Sequence, residues 1–281
     1  MFKETRFQLL DVRIAAREIG FAQGNEPTVV YLHGWLDNAA SFESVMIELK
    51  HLAPHWHQCA IDLAGHGLSS HKSGGNYYPF HDYIDDLYQF LANLSPNKLI
   101  LVGHSLGALI ASCYSAAFPE QVAALIQIEG NGPLAESSEN SVERLRDGVK
   151  SRRRVRAKPQ REFATVEQII ERRASVNNLT TEQIAPIVWR GSEATASGWR
   201  LRHDIKLQSD SLYRMSFAHA AHVRQHILCP QQIILANNGY AYLQQDSDKL
   251  ANVVYIEGGH HCHLQHPALV AQHIFALVNK I

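Results

Sequence analysis

The chain has 281 residues, 46% of them apolar and 19% charged, which is ordinary globular composition with side chains enough for a sizeable core. Lys+Arg at 26 against Asp+Glu at 27 leaves a net charge of −1, which disfavours both a strongly basic nucleic-acid binder and an acidic disordered chain. No apolar run reaches the roughly 18–20 residues of a membrane span, and Met1-Phe2-Lys3-Glu4-Thr5-Arg6 lacks the apolar stretch of a signal peptide, so a cytoplasmic protein is expected.

In chain order, strands are expected at Thr5–Leu10, Arg13–Ile19, Thr28–Leu32, His57–Ile61, Lys98–Val102, Val122–Ile128, Gln232–Ala236 and Val253–Ile256. Several are near-continuous apolar runs, as in Val29-Val30-Tyr31-Leu32 and Leu99-Ile100-Leu101-Val102, which is how strands buried on both faces of a parallel sheet read. Helices fit between them at 41–51, 79–93, 105–118 and 267–279. The short Asp11-Val12 break between the first two strands predicts an antiparallel hairpin at the sheet's edge.

This alternation stops in the middle of the chain. Residues 133–227 carry 17 Lys+Arg against 11 Asp+Glu, a net of +6, while the remainder is −7. Strand-like runs disappear there, and cations crowd around Lys150, Arg152, Arg153, Arg154, Arg156, Lys158 and Arg161. The expected architecture is an α/β sheet domain formed by 1–132 and 228–281. A mostly helical segment, 133–227, interrupts it and covers the carboxyl ends of the strands, where ligands bind in open α/β sheets. The basic run reads as a solvated helix face, or as a partner for the acidic sheet domain, in preference to an anion-binding element. Cys59, Cys113, Cys229 and Cys262 form no CxxC pair and read as reduced thiols.

Gly103-His104-Ser105-Leu106-Gly107 matches a G-x-S-x-G elbow, with a buried strand before it and a helical run (Leu106, Leu109, Ile110, Cys113, Phe118) after it. Such a turn is too sharp for side chains at the two glycines, and it presents Ser105 as a candidate nucleophile near the positive end of the helix. His33-Gly34-Trp35 follows an earlier strand. The amides of Trp35 and Leu106 are therefore the candidate oxyanion donors. Trp35 and His104 are the candidate pocket residues, with the His104 ring expected to turn away from Ser105, and His33 is expected to serve loop packing. His260, in Glu257-Gly258-Gly259-His260-His261-Cys262-His263 after the last strand, is the candidate base. A metal held by His260, His261 and His263 is the rival, but His-x-x-His on a loop with no second ligand group is poor zinc spacing.

These motifs resemble the α/β-hydrolase superfamily. Asp62-Leu63-Ala64-Gly65-His66-Gly67-Leu68-Ser69 is similar to the family's D-x-x-G-x-G-x-S loop, and Gly259-His260 with His263 and Pro267 is similar to its G-H-x-x-H-x-x-x-P ending. Arg161-Glu162-Phe163-Ala164-Thr165-Val166-Glu167, Arg190-Gly191 and Trp199-Arg200-Leu201-Arg202-His203-Asp204 resemble the serine hydrolase-like proteins. The resemblance implies an eight-stranded, mostly parallel sheet flanked by helices, with a helical cap inserted after strand six. It implies a Ser–acid–His triad working on a small-molecule ester or thioester without metal or organic cofactor.

One departure matters. The family usually places its acid after strand seven, and here that strand runs into Asn237-Asn238-Gly239-Tyr240. Asp246 and Asp248 follow and are expected to begin a helix. Glu129, at the end of the sixth strand, is the candidate acid instead, and some superfamily members, including a subset of haloalkane dehalogenases, carry theirs at that position. Two alternatives stay open: C–C bond hydrolysis or a lyase reaction on the same triad, and a binding or sensor protein that kept the shape of the site without turnover. The acyl and alcohol parts of the substrate and the oligomeric state are not legible.

Overall fold

The computed structural model describes every residue except 23 and 246–251. Eight strands form one sheet: β1 (Lys3–Gln8), β2 (Arg13–Ile19), β3 (Pro27–Leu32), β4 (His57–Ile61), β5 (Lys98–His104), β6 (Val122–Ile128), β7 (Gln231–Ala236) and β8 (Val253–Ile256). Their order is β1-β2-β4-β3-β5-β6-β7-β8. The β1–β2 hairpin is antiparallel and lies at the edge, β2 meets β4 antiparallel, and every other neighbouring pair is parallel.

Alternation within the apolar runs explains the layers. Val29, Tyr31, Ile100 and Val102 face one way, into a core completed by Met46 and Leu49 of α1 (Glu43–Leu52). Val270 and Ile274 of the C-terminal helix Pro267–Val278 join the same cluster. Val30, Leu32, Leu99 and Leu101 face the other way, against Leu87 and Phe90 of α2 (Asp82–Leu94) and Ile110 and Tyr114 of α3 (Leu106–Ala117). Both faces are covered, so these strands could not show a polar alternation. β5 also runs two residues past its apolar stretch, because Gly103 and His104 still pair with Gln127 and Ile128.

The segment after β6 carries α4 (Ser141–Ala157), α5 (Val166–Asn177), α6 (Thr181–Gly191) and α7 (Phe217–Gln225). It is not all helix. Glu162–Phe163, Gly198–Leu201 and Ser192–Thr195 form a small antiparallel sheet, and Ala135–Glu136 pairs in parallel with Met215–Ser216. Strands of two to four residues are too short to register as a period-two pattern, which is why the sequence reading lacks them.

The segment is joined to the sheet domain by apolar packing and by a buried ion pair, among other contacts. Its own apolar cluster (Ile169, Ile170, Ile184, Ile187, Val188) closes over Ala40 and Leu264. The Arg190 side chain reaches Asp62 of the loop after β4, which is wholly buried, with Nε 2.9 Å from Oδ1, and also meets Glu4 at 2.7 Å. Asp62 further accepts the amides of Ala39 and Leu68 at 2.7 Å each, so the buried carboxylate is both paired and hydrogen-bonded. The α4 arginines behave as a solvated face in part. Arg153 and Arg154 are exposed, the latter 3.7 Å from the likewise exposed Asp210, whereas Arg152 lies over the Tyr77 ring at 4.1 Å.

Candidate active site

The elbow is built by two close approaches. A side chain at Gly103 would begin 2.4 Å from the Gly107 backbone, and one at Gly107 would begin 1.9 Å from the Leu32 carbonyl oxygen. With glycine at both positions α3 packs directly on β3 and β5, and Ser105 takes φ 49°, ψ −116°, a conformation few non-glycine residues adopt. The Ser105 amide is held by the Ile128 carbonyl at 2.9 Å, which ties the turn to the end of β6. Leu106 opens α3, so its amide is one of the first-turn N–H groups without an intrahelical acceptor.

The next residue along that strand end is Glu129, also at positive φ (50°) and 2% exposed. Its amide donates to Ile234 of β7 at 2.9 Å, and the side chain crosses to the loop after β7. There Oε1 accepts the Ala236 amide at 2.7 Å and Oε2 the Tyr240 amide at 3.3 Å. Gly239 makes the room: a side chain there would begin 2.4 Å from either carboxylate oxygen. The turn that lacks its own acid thus holds one contributed by the neighbouring strand. Oε2 also meets His260 Nδ1 at 3.2 Å. A buried carboxylate needs such partners, and Glu129 has three.

His260 lies on the loop after β8, its side chain 20% exposed. Its carbonyl accepts Nε2–H of His104 at 2.8 Å, which bonds the loop to the residue beside Ser105. The Tyr240 ring packs against the imidazole at a tilt of 43°, with centroids 4.2 Å apart. Tyr240 and Gly239 were missed in the sequence reading. The signal was present in the acid-free Asn-Asn-Gly-Tyr turn, but it becomes readable only once Glu129 is seen to reach it.

His104 needs a correction. It is 1% exposed and walls neither of the two cavities described below. β5 still pairs through His104, so alternation sends that side chain behind the nucleophile into a histidine cluster, with centroids 4.2 Å from His263 and 5.1 Å from His261. Burial, then the neighbouring imidazoles, push the pKa of His104 well below the ordinary histidine value. Burial likewise presses His263 down to about 3, and its Nε2 lies 2.7 Å from Ser41 Oγ. His33 bridges two loops, with Nδ1 2.7 Å from the Gly34 carbonyl and Nε2 accepting the Leu63 amide at 2.9 Å. It packs loops, as expected.

The three histidines of the rival metal set point to different partners: His260 to Glu129, His263 to Ser41, and His261 to Asp37 at 3.3 Å. Among the described residues, a different trio could hold an ion, Asp37, His104 and His261, with one atom of each within 4.8 Å of the others. Arg173 already stands 2.6 Å from that carboxylate, so a cation there would compete with a guanidinium. All four cysteines are free. Asp246 and Asp248 lie outside the described residues.

Two cavities border the segments that flank the elbow, one at Trp35 after β3 and one at Leu109 of α3. One, of about 620 Å³, is lined by Trp35 and Leu36 and by residues of the 133–227 segment. Trp35 follows Gly34, where a side chain would begin 3.4 Å from Ser105 Cβ, and its indole N–H donates to the Leu207 carbonyl at 3.0 Å. The other, of about 590 Å³, is lined mainly by apolar residues, including Leu109 one turn after Ser105 and Leu134, Phe217 and Ile233.

Comparison with known proteins agrees with the fold. The family model described as "alpha/beta hydrolase fold" matches residues 27–167, half of the chain. A serine hydrolase-like protein of Danio rerio is 27% identical over 260 residues, covering 86% of this chain and 78% of that protein. A hypothetical protein of Pseudomonas aeruginosa PAO1 superposes with TM-score 0.87 at 29% identity, covering 98% of this chain and 96% of that one. A thioesterase domain from the curacin biosynthetic pathway shares the fold, with TM-score 0.81 at 23% identity over 98% of this chain and 99% of that domain.

Proposed function

The chain belongs to the α/β-hydrolase fold family, is most like the serine hydrolase-like proteins, and from that premise we propose a serine hydrolase that cleaves a small or medium carboxylic ester or thioester through an acyl-enzyme. The observation that carries the reading is the buried Glu129 carboxylate on Nδ1 of a partly exposed His260, whose carbonyl is bonded to His104, the chain neighbour of Ser105 on the strained elbow. Glu129 holds the imidazole with its proton on Nδ1, leaving Nε2 free to take the Ser105 proton as Oγ attacks the carbonyl carbon. The carboxylate then stabilises the imidazolium, and the amides of Leu106 and Trp35 receive the oxyanion. The tetrahedral intermediate collapses, His260 returns the proton to the departing alcohol or thiol, and water repeats the sequence on the acyl-enzyme.

A serine nucleophile makes an acyl ester, which argues against the alkyl-enzyme chemistry that an aspartate at this position would support. Residues 133–227 serve in this reading as a cap that shapes the pocket. No described helix is long and apolar enough to cross a membrane, and the reading retains a cytoplasmic enzyme. A fluorophosphonate probe tests the nucleophile: it labels the wild-type protein and fails on Ser105→Ala, and equal labelling of both ends the assignment. A binding protein without turnover is excluded by p-nitrophenyl ester hydrolysis that vanishes in Ser105→Ala.

A further inference from the structure

We propose that the cavity beside Trp35 binds an anionic group, a carboxylate or a phosphate, carried by the substrate away from its scissile bond. The inference rests on the serine-hydrolase reading and extends it to the class of substrate. The cavity is lined by Lys158, Arg161, Arg172 and Arg173 and by no Asp or Glu. Of these four cations only Arg173 has a carboxylate partner, Asp37, among the described residues. Lys158 Nζ donates to the neutral Gln208 Oε1 at 2.6 Å, and Arg161 lies over the Phe163 ring at 4.7 Å. By contrast Arg144, Arg190, Arg200 and Arg202 of the same segment each meet a carboxylate.

Concavity distinguishes these charges from the solvated ones on α4, because a low-dielectric wall concentrates the field of like charges on a ligand inside it. The site is also partly ordered in advance. Gln208 Nε2 lies 3.1 Å from His203 Nε2, so Lys158, Gln208 and His203 form one chain. Burial, then the charge of Arg173, presses His203 down to about 4, which leaves it neutral to accept that bond. Trp35 links the cavity to the chemistry: its amide belongs to the oxyanion position and its indole to the cavity wall. A volume of about 620 Å³ suits a small organic acid or a phosphorylated alcohol. The second, mainly apolar cavity offers no comparable charge, with Arg224 its one Lys or Arg.

The test uses matched esters. On the acyl side, mono-p-nitrophenyl adipate is compared with p-nitrophenyl hexanoate. On the alcohol side, phenyl acetates bearing a para carboxylate or a para phosphate are compared with phenyl acetate, and the two acids distinguish the sources of the anion. The expected result is an anionic-to-neutral ratio of kcat/KM of about tenfold or more for at least one pair, carried by KM. That ratio collapses in Arg161→Gln/Arg172→Gln and is largely kept in Arg161→Lys/Arg172→Lys. Both arginines are exposed, so the variants should fold, and thermal melting checks it. In parallel, Ser105→Ala is titrated calorimetrically with adipate and with pyrophosphate, with and without the two Gln substitutions. A ratio near one for every pair, or one that the Gln variant leaves intact, overturns the proposal. If Ser105 proves unreactive and no ester turns over, the hydrolase reading fails and the calorimetric arm decides the anion site alone: heat that disappears with the two arginines supports it, and no heat from either probe overturns it.

Discussion

His260, in the loop after β8, and His263, three residues on in the short helix Cys262–Gln265, share a histidine cluster, yet they occupy opposite chemical situations. His260 is partly exposed, with Nδ1 on a carboxylate; His263 is fully buried, with one nitrogen at Ser41 and the other without a partner among the described residues. The first can take a proton and have the cation stabilised. Burial holds the second neutral down to about pH 3. Residue type does not separate them. The difference lies in burial and in whether a carboxylate from another strand reaches the ring.

Removing that carboxylate's charge is the strongest way to break the comparison. Glu129→Gln should lower kcat by about 10³–10⁴-fold with much smaller change in KM, because it forfeits both the tautomer and the stabilised imidazolium. A loss under tenfold on the best ester would mean that His260 is oriented by something else. Gly239→Ala should come next. Its new methyl would start 2.4 Å from the Glu129 oxygens and push the carboxylate off the imidazole, costing roughly ten- to a hundredfold in kcat while the melting temperature falls only modestly. A variant that keeps full activity would show that the carboxylate has slack in its cradle.

The smallest effect sharpens the other side. The unfolded chain protonates His263 near its ordinary 6.5, whereas the folded chain refuses that proton until about 3. The fold therefore carries no penalty from this group above pH 6.5 and loses stability as pH falls from there towards 3. His203, pressed down to about 4, has the same sign. Asp86, raised by burial to about 6, works the opposite way, favouring the fold as pH falls through the interval between 6 and its ordinary value. Urea unfolding at pH 7.5 and 5.0 isolates one contribution. Wild type should lose on the order of 2 kcal/mol more than His263→Gln across that interval, with the Gln variant less stable at the higher pH for want of the ring's packing. Equal losses would place His263 in contact with a proton acceptor in the folded state.

How much of this was legible beforehand follows the physics of each signal. The strands β2, β4, β6 and β8 span the residues expected of them, and in β4 and β6 burial of nearly every residue imposes such a run. The elbow was legible because two glycines and a serine, at fixed spacing after a buried strand, serve a turn with no room for a Cβ at either glycine. Less was readable where partners are distant. Arg190 and Asp62 are 128 residues apart, and nothing local marks either as half of a buried pair. The burial of His104 among other histidines follows from β5 extending two residues further than its apolar run.

The sequence by itself determined the alternating sheet, the serine elbow and the histidine after the last strand, because each depends on neighbours within a few residues and on a steric rule that admits few residue types. Tertiary structure alone decided that the Glu129 carboxylate occupies the turn after β7, that Gly239 leaves it space, and that Lys158, Arg161 and Arg172 face a shared concavity. Those outcomes depend on which strand lies beside which and how an inserted segment settles over them. Such long-range packing has no local pattern to announce it.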